Sequence, residues 1–201
     1  MTDMGLRERK KLRMYEVVSE TAIRLFLEKG FDAVSVAEVA AAAGISKPTL
    51  FRYFPAKEDL VLHRIADHEA EAARVVAQGP TPVAALRRHF LDGLERDDPV
   101  TGLNDHPQVL AFHSLLYGTP SLVARVYAYQ QRSEDALAQA LGGGLEARLA
   151  AGQIVAVQRI LALDNWRRIA AGERVEEVRP DAVAAAERAF EMLAAGLSQF
   201  A

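Results

Sequence analysis

Helix-forming residues run through nearly the whole sequence, and the alternating apolar pattern of β-strands is missing from it. Alanine, leucine, glutamate, arginine and glutamine dominate, which favours helices. Glycine and proline interrupt this composition at Gly30, Gly44, Pro55, Gly79–Pro80, Asp98 to Pro107, Gly118–Pro120, Gly142–Gly144, Gly172 and Pro180. The spacing predicts an all-α protein of about nine helices joined by short loops.

Composition limits the functions that are open to the chain. Its 201 residues allow one large domain, or a small domain followed by a larger one. The absence of cysteine excludes disulfides, thiolate nucleophiles and cysteine-ligated zinc, and it suits a reducing cytoplasm. Apolar runs are too short for a membrane span, and the N-terminus lacks the core of a signal peptide. We therefore expect a cytoplasmic protein with no membrane partner.

Positive charge is concentrated at the N-terminus, although the net charge is −3. The cluster consists of Arg7, Arg9, Lys10, Lys11 and Arg13. A basic arm of this kind attracts anions locally, but the same composition is typical of a solvated terminus. Charge alone leaves both interpretations open.

Two short predicted helices around Gly44 form the sharpest pattern in the sequence. The first follows Ser35, which forms a capping box with Glu38, and the second follows Ser46 and covers residues 47–54. Gly44 can adopt the positive φ that a tight turn requires. Two short helices joined in this way are typical of a helix-turn-helix, whose second helix enters the DNA major groove.

Small and apolar residues occur where a helix-turn-helix needs them. Ala40 allows the two helix axes to approach, while Ile45 and Leu50 fill the space between the helices with Val39 behind them. The remaining face of the second helix is then free to touch DNA. That face carries Lys47, Pro48, Thr49, Arg52 and Tyr53.

The segment VAEVAAAAGISKPTLFRYFPAKEDL, residues 36–60, resembles the DNA-binding signature of TetR-type (TetR/AcrR) transcriptional regulators. The resemblance implies a DNA-binding domain of three helices with a basic arm over residues 1–62. It also implies a larger helical domain for effector binding and dimerisation over residues 63–201. The expected function is that of a homodimeric, non-enzymatic repressor, which a small-molecule effector releases from a palindromic double-stranded DNA operator.

The resemblance assigns DNA contacts that elementary chemistry also supports. The hydroxyls of Thr49 and Tyr53 suit phosphates, and Pro48 suits a thymine methyl group. Lys57, in the first turn of a fourth helix, is expected at a phosphate, whereas Arg52 suits either guanine or a phosphate. The candidate DNA-binding residues are Ser35, Val36, Ser46, Lys47, Pro48, Thr49, Arg52, Tyr53 and Lys57.

Two positions depart from the family pattern. Phe51 stands where a tyrosine is usual, which removes a phenol that could bind a phosphate. Ala56 stands where a serine often caps the fourth helix, and loss of such a cap costs roughly 0.5–2 kcal/mol. We therefore expect fewer phosphate contacts than such proteins usually make.

The middle helices carry polar and aromatic residues where a plain core would hold leucine. Such residues are typical of a ligand pocket between helices, although each of them taken alone also suits a core. The candidate ligand-binding residues are His89, Phe90, Phe112, His113, Leu116, Tyr117, Tyr127, Gln130, Gln158, Leu161 and Asn165. The effector is expected to displace the fourth helix, at about residues 57–77, and so to change the separation of the two recognition helices.

The last two predicted helices, at about residues 145–171 and 181–200, are expected to pair with a second copy. The alternative is that their apolar faces lie in the core of a single chain. The apolar stripe on the last helix consists of Val183, Ala186, Phe190, Leu193 and Leu197.

Enzymatic function finds little support in the sequence, and we expect no catalytic residue, metal or cofactor. The pair His68-Glu69 begins like a zinc motif, but Ala72 stands where the second histidine would be. Residues 142–144 lack the lysine that follows a phosphate-binding glycine loop. A protein-binding helical adaptor remains the second alternative, and weak salt dependence of binding would distinguish it from a DNA-binding protein.

Overall fold

The computed structural model describes residues 6–66, 68–79 and 81–200, apart from the side chains of residues 6–11, 64 and 66. These residues form ten α-helices and no β-strand. A short 3-10 helix, Pro99–Thr101, precedes the seventh α-helix. The helices are α1 (Leu6–Lys29), α2 (Val36–Ala42), α3 (Lys47–Tyr53), α4 (Asp59–Ala66), α5 (Glu71–Val76), α6 (Pro82–Glu95), α7 (Pro107–Gly118), α8 (Pro120–Ala140), α9 (Gly144–Ala170) and α10 (Val175–Gly196). The all-α prediction is confirmed.

The chain divides into two compact units, each built from two segments. One unit combines Met1–Ala66 with Ala111–Val126, and the other combines Asp67–Leu110 with Tyr127–Ala201. The first unit thus contains the helix-turn-helix segment together with the end of α7 and the start of α8. The division of function between residues 1–62 and 63–201 stays a prediction.

In the first unit, α1 packs along α2 and α4. Its inner face buries Val18, Ala22 and Phe26, which recur every four residues along one side of the helix. The Ser19 hydroxyl, also buried, donates to the carbonyl of Leu60 at 2.7 Å and so ties α1 to α4. This core supports the helix-turn-helix from behind.

In the second unit, α6, α9 and α10 enclose one apolar core. Phe90 and Phe190 meet there with ring centroids 6.1 Å apart. The 3-10 helix reaches this core through Asn165, whose side-chain amide donates to the carbonyl of Thr101 at 2.9 Å. Gly102, which directly follows the 3-10 helix, has a φ of +74°, and a Cβ atom at this residue would lie 1.9 Å from the carbonyl oxygen of Ala162.

The predicted fourth helix is wrong in one respect, because the structure divides it into α4 and α5. Residues 68–70 form a turn, across which the His68 imidazole contacts the Glu71 carboxylate at 2.6 Å. Glu71 also pairs with His89 of α6 at 3.3 Å. These side-chain contacts stabilise a turn that no glycine or proline marks.

The last helix begins earlier than predicted, at Val175, and ends at Gly196. Pro180 lies inside it, where its missing N–H removes one backbone hydrogen bond. The helix passes through this position because its first turn is anchored: Val175 and Val178 are buried, and the Glu177 carboxylate accepts from the backbone N–H of Arg174 at 3.1 Å.

Candidate DNA interface

Helices α2 and α3 form the predicted helix-turn-helix. The Ser35 hydroxyl accepts from the backbone N–H of Glu38 at 3.1 Å, and the Ser46 hydroxyl accepts from that of Thr49 at 3.2 Å. Gly44 has a φ of +68° in the turn. Both helix starts and the glycine turn are therefore confirmed.

Helices α2 and α3 pack against each other through apolar side chains that are buried from solvent. Val39 and Leu50 are fully buried, and the small side chain of Ala40 is 2% exposed. Ile45 is half-buried at the edge, and Phe54, just after α3, belongs to the core as expected. This packing fixes which side of α3 faces away from the protein.

The outward side of α3 is cationic and partly aromatic. Lys47, Pro48, Phe51 and Arg52 are exposed on it. The Lys47 ammonium lies 5.8 Å from the centroid of the Phe51 ring, and the Arg52 guanidinium lies 5.2 Å from that of Tyr53. Two cations are thus held against rings on a helix that has no acidic residue.

The hydroxyl-bearing candidates are already engaged within the protein. Thr49 and Ser46 share a hydrogen bond between their hydroxyls at 2.8 Å. The Tyr53 ring is half-buried and edge-on to Tyr15, with centroids 5.1 Å apart. Ser35 is exposed and Val36 half-buried at the start of α2. These contacts orient the side chains, and phosphate bonds from them stay a prediction.

Lys57 lies in the turn before α4 and not in its first turn, which corrects the expected placement. Its ammonium donates to the carbonyl of Phe31 at 2.5 Å and lies 4.3 Å from the centroid of that ring. One of its three N–H groups is therefore used inside the protein, and a phosphate contact by the others stays a prediction. The side chains of residues 7–11 in the basic arm lie outside the described residues.

The start of α4 is stabilised by a carboxylate that sequence reasoning missed. The Asp59 carboxylate accepts from the backbone N–H of Ala56 at 3.0 Å and so ties the turn before α4 to the first residue of the helix. The same carboxylate accepts two hydrogen bonds from Arg125 of α8, at 2.9 and 3.0 Å. No local pattern could have paired these residues, because 66 positions separate them in sequence.

One acidic side chain near the turn is neutralised within the protein. The Lys29 ammonium contacts the Glu38 carboxylate at 2.5 Å. The hydrogen bond from Lys29 lowers the pKa of Glu38, and the Ser35 backbone N–H adds to this effect. The pairing reduces the repulsion that an unpaired carboxylate would exert on DNA phosphates.

Four candidate ligand-binding residues lie in the first unit, on α7. Leu116 is buried, Phe112 is half-buried and Tyr117 is exposed at 37%. The His113 ring lies about midway along this group, with centroids 5.9 Å from Phe112 and 6.1 Å from Tyr117. Burial lowers the pKa of His113 to about 4, so its imidazole is neutral at neutral pH.

The other ligand candidates lie in the second unit, and several have internal roles. Phe90 is a core residue, Asn165 is bonded to Thr101, and His89 is paired with Glu71. Tyr127 is exposed, and the half-buried remainder consists of Gln130, Gln158 and Leu161. A ligand role for any of these residues stays a prediction.

The predicted dimer stripe on α10 faces the core of its own unit, which corrects the expectation for four of its members. These four residues are Ala186, Phe190, Leu193 and Leu197. Their side chains are buried by the same chain, so they are not available for contact with a second copy. Val183 is half-buried against the same core. The large apolar side chains that these two helices expose are Leu145, Leu149 and Ile160 of α9 and Met192 of α10, at 69%, 58%, 56% and 76% exposure.

The part of the chain that the structure describes contains no group of three or more histidine, aspartate or glutamate side chains that could hold a metal ion. None of the helices described here has the length and apolar composition that crossing a bilayer requires.

Comparison with known proteins extends the likeness beyond the DNA-binding segment. The sequence model of bacterial regulatory proteins of the tetR family matches residues 19–63. The HTH-type transcriptional regulator TcmR of Streptomyces glaucescens is 32% identical over 166 residues, which span 80% of this chain and 67% of TcmR.

Solved structures share the fold at lower identity. NalD of Pseudomonas aeruginosa, described as the secondary repressor of the MexAB-OprM multidrug efflux pump, aligns with a TM-score of 0.59 and 18% identity over 90% of this chain and 96% of NalD. SmeT, solved as a complex with triclosan, aligns with a TM-score of 0.57 and 17% identity over 92% of this chain and 91% of SmeT. The match with TcmR along most of both chains, together with the helix-turn-helix, shows that the chain belongs to the TetR family of DNA-binding transcriptional regulators.

Proposed function

We propose that this protein is a homodimeric, cytoplasmic repressor that binds an inverted-repeat operator and is released from it by a small-molecule effector. The observation that carries the proposal is the outward side of α3. It exposes Lys47 and Arg52 on a helix that the packed turn holds rigidly. Cationic side chains on the outward side of a recognition helix suit guanine O6 and N7.

A dimer is part of the proposal because one recognition helix contacts too few bases for a specific operator. Two copies related by a twofold axis present two such helices about 34–36 Å apart, one turn of DNA. The exposed apolar stripe on α9 supports this step. Leu145, Leu149 and Ile160 recur at helical spacing on one side of the helix, which indicates a surface that a partner covers.

The dimer is tested by sedimentation of the purified protein at micromolar concentration. We expect wild type to sediment as a dimer and Leu149→Arg to shift towards monomer, because the arginine would have to be buried in the interface. Leu27→Arg serves as the control, because Leu27 is an exposed leucine on α1 and not on the stripe. A monomeric wild type would contradict this step.

Specific DNA binding is tested by selecting bound duplexes from a random pool. We expect the selected sequences to contain two half-sites related by inversion. Arg52→Ala should relax the base preference at one position of each half-site if Arg52 contacts a base. An equal loss of affinity on all sequences would assign Arg52 to a phosphate instead. A pool that shows no enrichment would favour the protein-binding adaptor.

Release by an effector requires that the DNA-binding unit respond to events elsewhere in the chain. The Asp59–Arg125 pair supports such a link, because it fixes the start of α4 to α8. Helix α8 continues from this pair to Ala140 in the second unit. An effector that favours a different position of α8 would then disturb the segment directly after the recognition helix.

Repression and effector binding are supported by analogy with structural neighbours. NalD is described as a repressor, and SmeT was solved with the small molecule triclosan. The test is a screen of small molecules that release this protein from its selected duplex. An effector should lose its influence in Arg125→Met, while that variant still binds DNA. An unchanged response of Arg125→Met would contradict coupling through this pair.

A further inference from the structure

Phe51 is the large apolar side chain that α3 leaves in solvent, with 41% of its surface exposed. The buried side of α3 is occupied by Leu50, and Phe51 lies on the outward side with Lys47 and Arg52. The ammonium of Lys47, one helical turn earlier, lies over the Phe51 ring at 5.8 Å from its centroid. The ring is thus presented on the surface that faces DNA in the proposed function.

The chemistry of a phenyl ring restricts what Phe51 can recognise there. It has no hydrogen-bonding group, so it can satisfy neither a phosphate oxygen nor a polar base edge. The apolar group that the major groove offers is the C5-methyl group of thymine, and phenylalanine is one of the side chains that suit it. We propose that Phe51 contacts one thymine methyl group in each half-site and so determines specificity at that position. The inference rests on the proposed operator binding.

The geometry of α3 also relates this thymine to the base that Lys47 contacts. Four residues advance an α-helix by about 6 Å, and one base step covers about 3.4 Å. The thymine therefore lies within about two base pairs of the base that Lys47 reads. Guanine is the base that lysine prefers, so each half-site should contain a thymine close to a guanine. The cation–π contact keeps both side chains directed to the same side of the helix.

The test uses the duplex selected from the random pool and replaces its thymines one at a time by deoxyuridine, which removes only the methyl group. For wild type we expect a position in each half-site, assigned to Phe51, at which affinity falls about fourfold, as for exposing one buried methyl group. A second methyl-sensitive position would be assigned to Pro48. Replacement in both half-sites should reduce affinity about sixteenfold. Phe51→Ala should bind the unmodified duplex more weakly and show no further loss at that position.

Pro48→Ala provides a matched control, because Pro48 is the other exposed residue of α3 that suits a thymine methyl group. This variant should keep the full sensitivity to deoxyuridine at the Phe51 position. Far-ultraviolet circular dichroism of each variant checks that the helices remain, which the exposure of both side chains leads us to expect.

Two results would overturn the inference alone. One is a wild-type affinity that no deoxyuridine replacement changes, and the other is a Phe51→Ala protein that still loses affinity at every methyl-sensitive position of wild type. Failure to select any duplex would overturn the proposed operator binding as well, so the two failures are distinguishable.

Discussion

Replacement of Arg125 by alanine tests the contact between α8 and the start of α4. Asp59 is 8% exposed at its side chain and accepts two hydrogen bonds from Arg125 and one from the backbone of Ala56. The substitution removes both hydrogen bonds from the guanidinium and leaves the carboxylate where it is. We expect a loss of stability that exceeds what a surface ion pair contributes.

The expected magnitude follows from the exposure of the two partners. Removing one partner of a fully buried ion pair costs about 3–5 kcal/mol. The Arg125 side chain is 39% exposed, so water can reach the carboxylate in the variant and lowers this cost. We expect about 2 kcal/mol, which corresponds to a fall in melting temperature of about 4–8 °C for a chain of this size.

Arg132→Ala is the matched control, because it removes the same residue type from the same helix. Arg132 pairs with Glu69, and their side chains are 46% and 25% exposed, so we expect a loss of at most about 1 kcal/mol. The assay is urea denaturation followed by circular dichroism at one fixed protein concentration. A loss in Arg125→Ala no larger than that in Arg132→Ala would refute the reasoning.

Substitutions at three further sites, one with a matched control, test other contacts by chemical denaturation. His113→Gln should make the free energy of unfolding less dependent on pH. The histidine has a pKa of about 6.5 in the unfolded chain and of about 4 in the folded chain, so between these values only the unfolded chain takes up the proton. From about pH 7 to about pH 5, the free energy of unfolding should therefore fall by about 2 kcal/mol more in wild type than in the variant. Gly102→Ala should cost more than about 2 kcal/mol, because its positive φ and the Ala162 carbonyl exclude a Cβ atom, whereas Gly118→Ala, with open space around it, should stay within about 1 kcal/mol of wild type. Lys57→Met should cost about 1–2 kcal/mol through its lost hydrogen bond to Phe31, and wild-type stability of this variant would show that the bond contributes nothing.

The parts of the fold that could be predicted are those that nearby residues determine. Gly44 needs only its own backbone freedom to form the turn, and Ser35 and Ser46 cap helices that begin at the next residue. The buried positions of α2 and α3 also followed from the packing that a helix-turn-helix requires. These signals act within a few residues, so a single sequence contains them.

The parts that could not be predicted depend on residues far apart in sequence. The apolar spacing on α10 correctly indicated a buried face, but it could not say whether the partner was a second copy or the same chain. Phe190 packs on Phe90, which is 100 positions earlier. The Asp59–Arg125 pair and the His89–Glu71 contact could not be predicted for the same reason, because only the folded chain brings their helices together.

The central claim is that the outward side of α3 binds DNA, and the salt dependence of binding to the selected duplex tests it most directly. Affinity is measured by fluorescence anisotropy for wild type and for Arg52→Ala, a substitution of an exposed residue. From about 50 mM to about 200 mM salt, we predict that wild-type affinity falls about tenfold or more, as expected when cationic side chains of two subunits neutralise at least two phosphates. The variant should bind more weakly at every salt concentration. A wild-type affinity that barely changes with salt, or an Arg52→Ala protein that binds as tightly as wild type, would contradict the claim.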